Sequence, residues 1–306
     1  MFSALSRHDC NFNKLHLIFQ LRISVKTKKI GTKIMNYFDC HMHCSFSGDS
    51  ETPPKEMIER ALELKLRGIC FTDHLDLEYK QSPHLFDLDF PAYEETMRSL
   101  IHEYSSSDFT VYKGLELGMK PGLSNTHKKI LSENEFDFVI GSVHVIDDMD
   151  PYYPDYYDFK TPKEAYEGYF RCVKDNLSAF SDIDSLGHLD YVHRYGIRHY
   201  GKKEGVLSYD DFSEIIDDIL SFIIKKDIAL EVNTGSFRND MTEPNPSYRI
   251  ISRYRELGGK IITLGSDAHN PTTIADHFEK VAERLKTIGF KTYLVYEKRT
   301  PIEHPL

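Results

Sequence analysis

The amino-acid sequence predicts a parallel α/β barrel, closed or nearly closed, and three observations predict it. Its 306 residues, 40% of them hydrophobic, suffice for one large barrel or two ordinary domains. From Tyr37 onward, short apolar runs alternate seven times with amphipathic helical stretches, without internal repeats or low-complexity linkers. The apolar runs end in His, Asp or Glu, as strands do when their carboxyl ends share one working rim. A doubly wound sheet would satisfy the first two, but no Gly-rich phosphate loop follows the first strand.

The strands are expected at 37–41, 68–72, 109–115, 136–143, 183–189, 227–233 and 260–266, with a last one at 291–296. Thr52-Pro53-Pro54 opens a helix that runs through Met57, Ile58, Ala61 and Leu62 and stops at Gly68. Thr161-Pro162-Lys163-Glu164 is a capping box with proline at the first helical position, opening a helix over 162–180. Ser208 or Tyr209 begins a third, with Phe212, Ile215, Ile216, Ile219, Leu220 and Ile223 on one stripe. Two more are expected near 247–257, ending at Gly258-Gly259, and at 273–288.

The first residues differ. Up to Met35 they carry Arg7, Lys14, Arg22, Lys26, Lys28, Lys29 and Lys33 against one acid, Asp9. The apolar stretch from Leu15 to Ile23 is broken by His16, Gln20 and Arg22, too short for a transmembrane helix or a secretory core. A basic, acid-poor segment also suits a transit peptide. The preferred expectation is a dispensable extension, 1–34, ahead of a catalytic barrel at 35–306.

Lys and Arg number 38 against 48 Asp and Glu, a net charge of −10. Such a surface repels phosphate backbones, which argues against nucleic-acid and anionic-membrane binding. A small phosphorylated substrate stays open, because bound metal ions can supply positive charge locally. Five cysteines without a C-x-x-C read as reduced thiols of a cytoplasmic protein.

The first strand ends Asp39-Cys40-His41-Met42-His43, and residues i and i+2 of a strand point the same way, so two imidazoles converge. Later strands end Thr72-Asp73-His74, Gly114-Leu115-Glu116, Gly141-Ser142-Val143-His144, Gly187-His188-Leu189-Asp190 and Gly265-Ser266-Asp267-Ala268-His269. In a parallel barrel these meet in one bowl. An imidazole and carboxylate set without thiolate favours Zn, Mn or Fe over a structural cysteine site. The bland alternative makes each histidine a satisfied core residue, which is costly to bury without partners.

H-x-H, T-D-H, G-x-E, G-S-V-H, G-H-x-D and S-D-A-H, in this order, resemble the polymerase-and-histidinol-phosphatase (PHP) superfamily. The fuller wording G-S-V-H-x-I-D, G-H-L-D-Y-x-x-R-Y and E-V-N-T-G most resembles its histidinol-phosphatase branch. The resemblance implies a distorted seven-stranded (β/α) TIM-like barrel with a trinuclear metal centre on its rim, holding two to three divalent ions. It implies His41, His43, Glu116 and Asp267 around the first metal. Glu116 would bridge to a second held by His144 and His188, and His74 and His269 would take the third. Where many relatives have a histidine to complete the third site, this chain has Asp49 (the alternative being a turn residue before the following helix).

The activity so implied is hydrolysis of L-histidinol phosphate in histidine biosynthesis, by attack of a metal-bridging hydroxide. Asp190 or His193 could protonate the leaving alkoxide, or Asp190 could orient His188. Arg194, Arg198 and Arg238, expected on rim loops, and more weakly Ser236, could hold the phosphate; exposed loop arginines are the plainer alternative. The tyrosine-rich run 152–158 could form a lid or simply pack on the surface. The runner-up is a PHP phosphoesterase acting on nucleotides or phosphotyrosine, and a third reading is a metal-containing scaffold without turnover.

Overall fold

A computed structural model describes residues 36–239 and 241–306; the expected extension 1–34 lies outside the described residues. Strand β1 (Phe38–Met42) is followed by α1 (Pro54–Glu63), β2 (Gly68–Phe71), β3 (His74–Leu75) and α2 (Phe90–Tyr104). Then come β4 (Thr110–Gly118), α3 (Ser124–Glu133), β5 (Phe138–Ser142), α4 (Pro162–Ala179) and β6 (Ser185–Leu186). The chain continues with α5 (Tyr191–Glu204), α6 (Ser213–Lys225), β7 (Ala229–Asn233), α7 (Tyr248–Glu256), β8 (Ile262–Gly265) and α8 (Phe278–Ile288). It ends in a hairpin of β9 (Thr292–Glu297) and β10 (Thr300–Pro305).

The sheet runs β1-β2-β4-β5-β6-β7-β8, all parallel, with β3 also paired to β4. Closure comes at the rim, where His43 N donates to Ala268 O and Asp267 N to His41 O, both at 2.8 Å. The result is a TIM-like barrel with its strands' carboxyl ends on one face. Apolar faces of the surrounding helices, such as Met57, Ile58 and Ala61 of α1 or Ile216, Ile219, Leu220 and Ile223 of α6, are buried against it.

Several local expectations change. Thr161 caps α4 through the expected box, its hydroxyl accepting from Glu164 N while Glu164 accepts from Thr161 N. Thr52, in contrast, does not cap α1; Pro53 takes that place, and Thr52 Oγ1 donates to His269 O at 3.1 Å. Gly68 does not end α1 but opens β2, where a Cβ would collide with Thr110 O. Helix α5 starts directly after the β6 turn, so Arg194 and Arg198 sit on a helix rather than a loop.

The hairpin closes the opposite end. Phe38 N, at the start of β1, donates to Tyr293 OH at 2.9 Å, and Tyr296 OH donates to Asp184 O, just before β6. The Tyr296 ring stacks on Phe138, the first residue of β5. Among the described residues no helix is long and apolar enough to cross a membrane.

Candidate metal centre

Glu116 stands on β4, 1% exposed, and its two oxygens face different sets of imidazoles. Oε2 lies 3.3 Å from His41 Nε2 and 3.4 Å from His43 Nε2, which are 3.1 Å from each other. Asp267 Oδ1 completes this group at 3.5 Å from His43 and 3.9 Å from His41. Ligands about 2.0–2.2 Å from a tetrahedral ion are separated by roughly 3.3–3.6 Å, so the four atoms have ligand spacing.

The other oxygen, Oε1, lies 3.3 Å from His144 Nε2 and 2.9 Å from His188 Nε2, and those nitrogens are 3.4 Å apart. Three protein donors are the share that a protein gives to a catalytic rather than a structural ion, and Ser142 Oγ donates to the same Glu116 oxygen at 2.7 Å. A third group is more open: Asp49 Oδ2 is 3.0 Å from His269 Nε2 and 3.6 Å from His74 Nε2. His74 belongs to more than one group, since its Nδ1 also comes within 3.0 Å of Glu116 Oε2. His43 lies between, its ring stacked on those of His74 and His269 at 4.2 Å each.

The electrostatics show what this convergence demands. Burial pushes the Glu116 carboxyl up, but His41, His74 and His144 around it prevail and hold it well below the usual range. Asp267 is likewise opposed by burial and held low by Arg194 and His41. Burial, reinforced by His269 and His74, drives His43 down to about 3, so its ring stays neutral. Burial also opposes charge on His41 and His144, yet carboxylates (Glu231 and Glu116 for the first, Asp76 and Glu116 for the second) raise both. Buried imidazoles facing buried carboxylates at ligand spacing, with no thiolate, fit divalent Zn, Mn or Fe.

The far sides of the rings are held as well. His41 Nδ1 meets Glu231 Oε1 at 2.5 Å, His144 Nδ1 meets Asp76 Oδ1 at 2.9 Å, and His43 Nδ1 meets Ser47 Oγ at 3.0 Å. Ser47 in turn donates to Asp73 Oδ1 at 2.9 Å. Sequence reasoning missed Glu231, Asp76 and Ser47. A faint signal existed: Asp76 stands two residues after His74, and Glu231 is the one charged residue of strand β7.

The other expected residues divide by helical period. On α5, Tyr191, Arg194 and Tyr195 share the face that lines a cavity of about 440 Å³ above the metal-ligand groups, with Arg238 across from them in the lining. Arg194 donates to Asn245 Oδ1 at 2.6 Å, Asp267 Oδ2 at 2.8 Å and Asn233 Oδ1 at 2.7 Å. Arg238 donates to the carbonyls of Ser266 and Asp267.

His193 falls on the other side of α5, its Nε2 accepting from Leu207 N at 3.1 Å, and is not brought into the bowl. Asp190 does not touch His188 either: it accepts from Asn245 Nδ2 at 2.5 Å and Ser247 N at 3.1 Å, one step behind Arg194. Arg198 does not line the cavity itself but donates to Asn239 Oδ1, a lining residue, at 3.1 Å, and Ser236 Oγ donates to Glu243 O.

A parallel barrel gathering imidazoles and carboxylates at its rim defines a class, the metal-binding α/β barrel enzymes. The PHP domain family matches residues 39–235. A probable histidinol-phosphatase of Clostridium acetobutylicum is 34% identical over 267 residues, 86% of this chain and 97% of that protein. A histidinol-phosphatase of Lactococcus lactis is also 34% identical, over 84% of this chain and 93% of its own length. The crystal structure of histidinol phosphate phosphatase from Lactococcus lactis, complexed with zinc, L-histidinol and phosphate, superposes with a TM-score of 0.80 at 31% identity, covering 87% of this chain and 99% of that one. The chain belongs to the PHP domain family, in its histidinol-phosphatase branch.

Proposed function

We propose that this chain is a cytoplasmic phosphomonoesterase that hydrolyses L-histidinol phosphate to L-histidinol and phosphate, in histidine biosynthesis. The observation that carries the reading is the division of Glu116, one oxygen facing His41 and His43, the other His144 and His188. The relatives' activity and the zinc, L-histidinol and phosphate in the Lactococcus protein support it.

Two to three divalent ions would be held here. His41, His43, Glu116 and Asp267 would take the first, Glu116, His144 and His188 the second, and Asp49, His74 and His269 the third. Ions so held neutralise phosphate oxygens and lower the pKa of a coordinated water. The chain's own part is orientation. Arg194 has committed its Nε and one N–H from each terminal nitrogen to Asn245, Asp267 and Asn233. One N–H on each terminal nitrogen is left for a phosphate oxygen. Those same bonds fix Asp267, so ligand and phosphate clamp share one framework.

A substrate panel on metal-reconstituted protein tests the proposal. The expected kcat/KM for L-histidinol phosphate exceeds that for p-nitrophenyl phosphate, nucleoside monophosphates and phosphotyrosine peptides by at least about 100-fold, or about 2.7 kcal/mol. Equal turnover of a nucleotide or phosphopeptide would overturn the substrate, and turnover surviving complete chelation would overturn the metal centre. Residues 35–306 alone are expected to give the same panel; a large loss of kcat in that shorter chain would show that 1–34 contribute.

A further inference from the structure

Arg194 is held by a relay that starts at Asp190, the last residue of the Gly187-His188-Leu189-Asp190 strand end. Arg194 Nε donates to Asn245 Oδ1 at 2.6 Å, and the same amide's Nδ2 donates to Asp190 Oδ1 at 2.5 Å. The other Asp190 oxygen accepts from Ser247 N at 3.1 Å. Asp190 and Asn245 are fully buried, and Arg194 is 5% exposed.

An asparagine amide has a donor end and an acceptor end of nearly the same shape. Asp190 decides which way this one faces, because a carboxylate can only accept. Turned round, Asn245 would set its oxygen against a carboxylate oxygen and its NH2 against the Arg194 Nε–H. Both ends of a buried amide would then meet their own kind. Asn245 is not free to withdraw either. Its backbone is bridged to Asn233 at the end of β7, N to O at 2.9 Å and O to N at 2.8 Å. Asn233 Oδ1 in turn accepts from Arg194 Nη2 at 2.7 Å and from Gly235 N at 2.8 Å. Asp190 stands just before α5 and Arg194 one turn into it, so one asparagine reaches both.

We propose that Asp190 and Asn245 are positioning residues for the phosphate clamp. Asp190 fixes the direction of the Asn245 amide, and Asn245 so directed fixes the Arg194 guanidinium with its remaining N–H groups left to the cavity. Neither touches the substrate. The inference rests on the function proposed above, and gives Asp190 a part in binding rather than in proton transfer.

Calorimetry with inorganic phosphate on the metal-loaded chain reads the clamp without turnover. Near pH 8 Asp190, pushed up to about 6 by burial, is a carboxylate. Asp190→Asn keeps the shape but must point an NH2 at Ser247 N or at the Asn245 amide, so one bond of the relay is lost. Its Kd for phosphate should rise about tenfold, and KM for L-histidinol phosphate with it, while metal content stays at the wild-type value. Adding Asn245→Asp moves the carboxylate to the middle of the relay. The new amide then gives its NH2 to that carboxylate and its oxygen to Ser247 N, and Arg194 Nε has an acceptor again. This double variant should return Kd to within about threefold of wild type.

An unchanged Kd in Asp190→Asn, or one that rises only with loss of metal, overturns the inference and leaves the function standing. So does a double variant that stays further than that from wild type, or that melts without cooperativity although every bond of the relay is met. Should Asp190→Asn alone lose its cooperative melt, the Kd of the double variant decides on the same terms. Wild type that does not turn over L-histidinol phosphate overturns the proposed function, whatever the Kd values.

Discussion

The two ends of the barrel bury polar groups in opposite ways. At the amino end, buried polar atoms meet ordinary protein partners: Phe38 N the hydroxyl of Tyr293, Asp184 O the hydroxyl of Tyr296 and the backbone N–H of Ala229, and the Asp184 carboxylate Val139 N at 2.8 Å and Arg299 Nε at 2.5 Å. At the carboxyl end, Glu116 alone faces His41, His43, His74, His144 and His188 within 3.4 Å. Both sets of groups are buried, yet only at the carboxyl end do several imidazoles crowd on one carboxylate. What separates a structural end from a working end is therefore excess donors crowded on one point, rather than the mere presence of charge.

The sharpest way to break that contrast is Glu116→Gln. Gln keeps the shape but offers one acceptor oxygen, so it cannot serve both groups of imidazoles. Activity is expected to fall by at least about 1000-fold, or about 4 kcal/mol. Elemental analysis should show fewer ions per chain, with the melting transition still cooperative. Full metal content and near-normal kcat in this variant would show that Glu116 does not unite the groups.

His193 sharpens the contrast from within the rim. It is a histidine, 7% exposed, one residue from Arg194, yet its Nε2 has a single backbone partner and no carboxylate. Burial lowers its pKa from 6.5 to about 4. Between those values the unfolded chain binds a proton that the folded chain refuses, so stability rises with pH across this window and is lost as pH falls from 6.5 to 4. The loss can reach about 3 kcal/mol. His193→Gln, whose amide oxygen can still accept from Leu207 N, should flatten that part of the stability–pH curve in denaturant titrations. Parallel curves for the two proteins would mean that His193 does not titrate differently on folding.

These cases also show what the sequence made legible. The strand-end motifs are local in sequence and repeat around the barrel, so the period of two and the common rim were enough to bring His41, His43, His74, Glu116, His144, His188, Asp267 and His269 to one place. Their supporting groups were not legible, because Glu231 reaches His41 across 190 positions and no local pattern encodes that pairing. Arg194 and Arg198 were expected on a rim loop, and the helix that begins at Tyr191 turns His193 out and Arg194 in. Helix α3 has no apolar stripe and buries only His127, whereas α2 buries Tyr93, Met97 and Leu100 at helical spacing, a pattern the sequence does carry. Strand β10 is polar and mostly exposed, and only its hairpin with β9 makes it a strand.

A smaller effect is expected one layer behind the ligands. Glu231 receives His41 Nδ1 on one oxygen, and His188 N at 2.7 Å and Asn233 Nδ2 on the other. Glu231→Gln must present an NH2 group to one of these donors, loosening either the His41 ring or the His188 backbone. Partners of this kind change metal affinity about 10- to 100-fold, which is about 1.4–2.7 kcal/mol. Competition with a chromophoric chelator should show that loss, while kcat at saturating metal recovers. Unchanged affinity would mean that the rings are held by packing alone.

The smallest effect belongs to the amino end, and it tests whether the two ends are separable at all. Tyr293 is 1% exposed and its hydroxyl is the acceptor for Phe38 N, the first residue of the strand that carries His41. Tyr293→Phe removes that acceptor and little volume, leaving one buried N–H unpaired at a cost of about 1–2 kcal/mol. In a domain of this size that is a fall of a few degrees in Tm. The ring that fills the end of the barrel stays, so β1 should keep its register, and with it the placing of His41 and His43 at the far end. Metal content and kcat are therefore expected to match wild type below the transition. A variant that melts normally but loses metal or turnover would show that strain at one end travels along β1 to the other, and the contrast between a closed structural end and an open working end would have to be given up.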